Sequence, residues 1–154
     1  MPYDGSAFQK AQDPVLGRLV QARTRLADRR HWISGKYFEE DGGGGYHYCI
    51  LGALSADPAR DGCMAHDAVG QGAAIWLAKH VAGVTMSFQH ASRIIYNFND
   101  GYAALEHVSH SAAGLLFMAR RRFVDGHKRV LDFLDSAIAE REKQLAQTET
   151  PAVS

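Results

Sequence analysis

Cys49 is the residue whose type and position could do chemistry most directly. It lies in the stretch YHYCILGAL, residues 46–54, after a run of four glycines and at the predicted start of an apolar helix. The free amides and the positive dipole end of a helix N-terminus favour the nucleophilic thiolate form of a cysteine. Cysteine is also among the residues most often buried, and its neighbours Ile50, Leu51 and Leu54 are typical of a core. Both interpretations of Cys49 stay open.

A cysteine nucleophile needs a base within hydrogen-bond reach and a third group that orients the base. His127 is the candidate base because it opens the last predicted helix, where a histidine can act as a proton acceptor. Asn99 or Asp100, in a turn after an earlier helix, is the candidate orienter. With Cys49 these residues have the types required for a cysteine-dependent hydrolase or transferase. The structural alternative is that Asp100 caps a helix and His127 binds a backbone carbonyl.

Four further residues have the spacing of zinc ligands. Cys63 and His66 form a C-x-x-H pair, and His107 and His110 lie three residues apart on one face of a predicted helix. Zinc binding through this set is a second alternative function. The chain holds eight histidines, so such sets arise easily, and solvated or core-capping histidines are the other interpretation. The sequence predicts no cofactor.

The charge and composition of the chain exclude several classes of partner. Seventeen basic residues balance 17 acidic residues, so no net charge favours nucleic acid, and the basic run at 120–122 is typical of a solvated helix end. No apolar stretch reaches the roughly 18 residues that span a bilayer. The first ten residues, MPYDGSAFQK, lack the features of a signal peptide. We therefore expect a cytoplasmic protein with free thiols and no membrane partner.

The elements that must position these residues are helices. Apolar residues recur at helical spacing in six stretches, and these predict helices at about 14–30, 48–56, 67–83, 87–98, 102–123 and 127–146. Residues 31–45 predict an irregular glycine-rich arm, and only a few residues around 46–48 have strand character. The fold class is therefore all-α, a compact single-domain bundle of five to six helices with that arm. The predicted domain covers residues 1–154, with 1–12 and 147–154 frayed.

Four motifs occur in a recognisable order along the chain: H-W-I-S-G at 31–35, Y-C-I-L-G-A-L at 48–54, Y-N-F-N-D at 96–100 and H-K-R-V-L-D-F-L-D-S-A-I at 127–138. This succession resembles a family of short uncharacterised bacterial and phage proteins. The family pattern has a tryptophan-glycine segment, a cysteine followed by L-G-A-L, an asparagine-aspartate pair, and a histidine that opens a last helix. The resemblance brings no established activity.

The resemblance implies that five residues share one site. Trp32, Cys49, Asn99, Asp100 and His127 all fall on the family pattern. The chain departs from the pattern because residues 102–124 insert a long helix between the asparagine-aspartate pair and the histidine, where a short connection is expected. A common site then requires that the inserted stretch leave the bundle and return to it.

No catalytic or cofactor motif stands out, while large apolar residues are spread over several helices. The leading hypothesis is a small cytoplasmic binding or regulatory module without catalytic activity. Its partner would be an unknown protein or a second copy of the chain, as a homodimer. The sequence leaves open whether the protein is an enzyme, and the cysteine-dependent and zinc-binding hypotheses remain the alternatives.

Overall fold

The first helix, α1 (Pro14–Arg25), follows the N-cap residue Asp13. The computed structural model describes residues 13–34, 36, 38–40, 42–43, 45–57, 67–101 and 126–149. The Asp13 carboxylate accepts a hydrogen bond from the Val15 amide at 3.1 Å, and proline at the first helical position needs no amide partner. The predicted helix of about 14–30 is wrong in length, because the chain turns at Leu26.

A short 3-10 helix, Arg29–His31, follows α1 and starts the arm. The Asp28 carboxylate accepts from the Arg30 amide at 2.9 Å and so caps this second, separate element. The sequence predicts an irregular arm, and the structure adds a hairpin to it. Strand β1 (Phe38–Glu40) pairs antiparallel with β2 (Tyr46–Tyr48), with Phe38 opposite Tyr48. Gly42, between the strands, has a φ of 78°, which glycine adopts readily.

Helix α2 (Ile50–Ala53) is a single turn. The predicted helix of about 48–56 is too long at both ends, because Tyr48 pairs in the sheet and Cys49 is the extended N-cap residue, with φ −80° and ψ 177°. At the other end, the Arg25 Nη1 donates to the Ala53 carbonyl at 2.9 Å. Side chains of α1 therefore satisfy carbonyl groups that a longer helix would satisfy internally.

Helices α3 (Ala68–Ala82) and α4 (Phe88–Asn99) lie where the sequence predicts them. The N-cap residues are Asp67 and Ser87, and α3 ends at Gly83, whose φ of 79° lies in the left-handed region. The two helices pack against each other, and α3 also packs against α1.

The last described helix, α5 (Gly126–Glu149), begins one residue before the predicted start and continues three residues past the predicted end. Two ion pairs show that α5 runs antiparallel to α1. Asp13, at the start of α1, binds Arg141 of α5 at 2.6 Å. Arg23, near the end of α1, binds Asp135, which comes before Arg141 in α5, at 2.7 Å. These ion pairs fix the register of the two helices along their shared length.

The core lies between the five described helices. Fully or almost fully buried side chains come from all five helices and from the residues that follow α1 and α2, and they include Leu19, Leu26, Ile50, Leu51, Leu54, Leu77, Val81, Ile95, Val130 and Leu134. The described structure is mostly helical with one small sheet, which confirms the predicted helical bundle. The assignment of residues 1–154 to a single domain stays a prediction.

Candidate functional site: a buried asparagine joining four segments

Asn99, the last residue of α4, is fully buried and forms the centre of a polar cluster. Its Oδ1 accepts from the Trp32 Nε1 at 2.9 Å and from the Ile50 amide at 3.1 Å. Its Nδ2 donates to the Ile33 carbonyl at 3.0 Å and to the Asp100 Oδ1 at 3.0 Å. An asparagine amide has two acceptor positions and two donor hydrogens, so this side chain is fully engaged.

Trp32 places the arm against the start of α5. A methyl group on Gly126 would lie 2.9 Å from the Trp32 Cη2, so only glycine allows the indole to approach this closely. The indole ring also lies 6.1 Å from the His127 imidazole, centre to centre, at an angle of 47°. The Ile33 amide donates to the Tyr48 carbonyl at 3.0 Å, which joins the arm to β2.

His127 is 8% exposed, and its Nε2 lies 2.7 Å from the carbonyl oxygen of Leu26. A carbonyl oxygen can only accept, so Nε2 carries the hydrogen in this arrangement. The bond connects the start of α5 to the end of α1. Trp32 lies between the two residues expected to cooperate, with its nitrogen on Asn99 and its ring beside His127.

The side chain of Cys49 is completely buried. It precedes a helix of only four residues, so few aligned peptide dipoles act on it. The Ile50 amide at this helix start has no partner within the helix and donates to Asn99. Both effects reduce the stabilisation that the helix can give a thiolate.

Arg129 belongs to the cluster, although no sequence motif marks it as a site residue. Its side chain is 8% exposed, and its Nη2 lies 3.5 Å from the Phe98 carbonyl and 3.4 Å from the Asn99 carbonyl. A guanidinium group at the end of α4 suits the negative end of that helix dipole. The spacing of Arg129 from the buried Phe133, four residues later, is the sequence signal that places it beside the core.

A comparison with known protein families matches residues 10–140 to a family of unknown function, DUF6197. The chain belongs to this family. The matched part of this DUF6197 chain contains every residue of the cluster described above. No curated protein and no solved structure matches the chain.

The DUF6197 chain brings Trp32, Asn99, Asp100 and His127 into one cluster, and Cys49 is one residue from the Ile50 amide that Asn99 binds. The interval between Asp100 and His127 therefore does not separate them. A catalytic role for Cys49, His127, Asn99 and Asp100 stays a prediction.

The four zinc-ligand candidates, Cys63, His66, His107 and His110, lie outside the described residues of the DUF6197 chain, as does the basic run at 120–122. Within the described ranges, no group of three histidine, cysteine or acidic side chains could hold a metal ion. The helices of the described ranges also include none that is both long enough and apolar enough to cross a membrane.

Proposed function

We propose that the protein is a small cytoplasmic binding module without catalytic activity, whose partner is another protein or a second copy of the chain. The observation that carries this proposal is the complete engagement of the Asn99 amide by Trp32, Ile50, Ile33 and Asp100. The polar residues of the cluster hold segments of the fold together, which favours a structural role for them over a catalytic one.

A catalytic asparagine would orient the histidine by accepting a hydrogen bond from its ring. The Asn99 Oδ1 already accepts two bonds, from the Trp32 indole and the Ile50 amide, which uses both lone pairs. The orienting bond of His127 goes to the Leu26 carbonyl instead, at 2.7 Å. These contacts support a structural role for Asn99, because its amide oxygen has no position left for the His127 ring.

The cysteine-dependent enzyme is the weaker candidate. One observation favours it. The amide of Ile50, the residue after Cys49, and the indole of Trp32 both donate to Asn99, so the expected residue types lie in one region. A nucleophile must meet its substrate, however, and Cys49 has an exposed fraction of 0%. Burial among apolar side chains is typical of an inert, structural cysteine.

Alkylation of Cys49 separates the two functions. The chain has two cysteines, so a Cys63→Ser variant leaves Cys49 as the single thiol. We expect iodoacetamide to label the native variant at neutral pH only as fast as the protein opens, and to label the urea-unfolded variant at the rate of a free thiol. The reciprocal Cys49→Ser variant, which keeps Cys63, is the matched control. Rapid labelling of native Cys49 well below pH 8.5 would overturn the non-catalytic proposal.

Sedimentation velocity over a wide range of protein concentrations tests the binding function. We expect either a concentration-dependent dimer or a defined complex with a protein captured from native lysate and then purified. The Cys49→Ser variant should form the same species with the same affinity, because the proposal gives the thiol no part in binding. A strict monomer that forms no complex at any concentration would contradict the proposal.

A further inference from the structure

The described part of the arm between α1 and α2 forms a unit with its own internal bonds. We call this unit the strap, and it consists of residues 28–34, 38–40 and 45–48. Its two strands pair with each other, and the Ile33 amide donates to the Tyr48 carbonyl at 3.0 Å. The Asp28 carboxylate binds the Arg30 guanidinium at 2.5 Å, and the His47 Nδ1 contacts the Arg30 carbonyl. These bonds join strap residues to one another, so they persist if the strap moves as a whole.

Two hydrogen bonds join the strap to α4, and both end on the side chain of Asn99. The Asn99 Oδ1 accepts from the Trp32 Nε1 at 2.9 Å, and its Nδ2 donates to the Ile33 carbonyl at 3.0 Å. The Trp32 indole also covers the start of α5, because its ring lies 6.1 Å from the His127 imidazole and would meet a methyl group on Gly126 at 2.9 Å. Two consecutive strap residues therefore carry these contacts with two helices.

The strap lies at the edge of the core and is less buried than the residues beneath it. Trp32 and Tyr48 are half-buried and pack against the core, and residues 29–31 are exposed. Beneath the strap, Asn99 is 0% exposed and His127 is 8% exposed. A segment with few buried contacts opens at a lower free energy than the core, in a cooperative unit that often coincides with a supersecondary motif. The burial of the strap and its internal bonds are those of such a unit.

We propose that the strap is a lid that opens as a unit while the five helices stay folded, and that the hydrogen bond between Trp32 and Asn99 holds it closed. Opening exposes the His127 imidazole and frees one acceptor position and one donor hydrogen of the Asn99 amide, which Trp32 and Ile33 occupy in the closed form. A partner that binds these groups binds the open form and shifts the population toward it. This inference does not rest on the proposed binding function, because opening is a property of the chain alone.

Hydrogen exchange of the Trp32 indole, followed by NMR, tests the lid in the unaltered protein. Its N–H donates to Asn99 and exchanges when the strap opens. The backbone amides of Leu77 and Ala78, in the core part of α3, are the reference. We expect the indole to exchange at least about tenfold faster than these amides, with a rate that rises less steeply with urea, because opening the strap exposes little surface. An indole with the rate and urea dependence of the reference amides would overturn the proposal, because the strap would then open only on global unfolding.

Reaction of His127 with diethylpyrocarbonate, located by peptide mass mapping, tests what the strap covers. Trp32→Phe keeps an aromatic ring and removes the N–H bound to Asn99, so it should raise the rate at His127 about tenfold while the helical circular dichroism stays unchanged. Trp76→Phe, which removes the indole N–H between α3 and α5, is the matched control and should leave the His127 rate unchanged. The exposed His90 is the internal reference for the reagent. Equal rates at His127 in the two variants would overturn the proposal.

Discussion

Replacing Asn99 by aspartate changes one buried nitrogen into an oxygen and leaves the shape of the side chain intact. The two bonds that Oδ1 accepts, from Trp32 and the Ile50 amide, can persist. The two bonds that Nδ2 donates, each 3.0 Å long, are lost, because an oxygen then faces the Ile33 carbonyl and the Asp100 carboxylate. The substitution therefore tests the donor half of the amide.

The cost follows from these two contacts. Removing one partner of a buried hydrogen bond costs about 1–3 kcal/mol, so two losses lower the free energy of unfolding by about 4 kcal/mol at pH 7. Repulsion between the introduced carboxylate and Asp100 adds to this value. Lowering the pH protonates the introduced carboxyl, which can then donate one bond again. The difference from the wild-type protein should therefore narrow as the pH falls from 7 to 5.

Urea denaturation followed by far-ultraviolet circular dichroism measures this difference. Asn97→Asp is the matched control, because it makes the same change of charge in the same helix at a half-buried position two residues earlier. We expect Asn97→Asp to cost less than about 1 kcal/mol, as is usual away from buried networks. If Asn99→Asp were within about 1 kcal/mol of this control, the fully engaged amide would not be a determinant of the fold.

Three further predictions concern pH and packing. Burial lowers the pKa of His80, so the neutral ring is favoured in the folded state. The free energy of unfolding should therefore fall as the pH drops below about 6.5. His80→Gln should reduce this fall, measured by urea titrations between about pH 7.5 and 5. Burial raises the pKa of Asp13, but the hydrogen bond and charge of Arg141, together with the Val15 and Leu16 amides, outweigh burial and lower that pKa. Arg141→Gln should therefore cost about 1–3 kcal/mol at pH 7, and the loss should shrink below pH 4. Gly126→Ala should lower the melting temperature, because its methyl group would displace Trp32.

Matched variants make these outcomes decisive. His90→Gln changes an exposed histidine and is the control for His80→Gln. Lys143→Gln removes an exposed cation from the helix that carries Arg141 and is the control for Arg141→Gln. Gly72→Ala adds a methyl group that would lie 3.3 Å from Val15, a milder contact than the 2.9 Å contact at position 126. Each prediction is refuted if the test variant and its control behave alike.

Local sequence signals predict the helices of this protein well where a cap and a glycine stop are both present. Helix α3 runs between Asp67 and Gly83, and α4 begins after Ser87, as the sequence predicts. Prediction fails where a distant contact ends an element. Helix α2 starts later than predicted because Tyr48 pairs with a strand ten residues earlier. A β-hairpin of three residues on each side has little sequence signature.

The candidate site shows the same division. Residue types alone identify Asn99, Asp100 and His127, and the resemblance to a family implies that they belong together. Arg129 is missed, because its contacts with the Asn99 carbonyl and with Gly101 at the end of α4 exist only in the folded chain. Asn99 forms hydrogen bonds to residues that are 49 and 67 positions away in the sequence. No local sequence pattern reveals such bonds.

The sequence by itself determines that this chain forms amphipathic helices with defined caps, because helix periodicity and capping act over a few residues. Only the tertiary structure gives the exposure of Cys49 and the hydrogen-bond partners of Asn99. A thiol at a helix start can be a nucleophile or a core side chain, and the difference is its exposure, which here is 0%. An asparagine can orient a base or join segments of chain, and the difference is which atoms occupy its four hydrogen-bonding positions. Both the exposure and the partners depend on residues distant in sequence, so neither could be predicted from the neighbours along the chain.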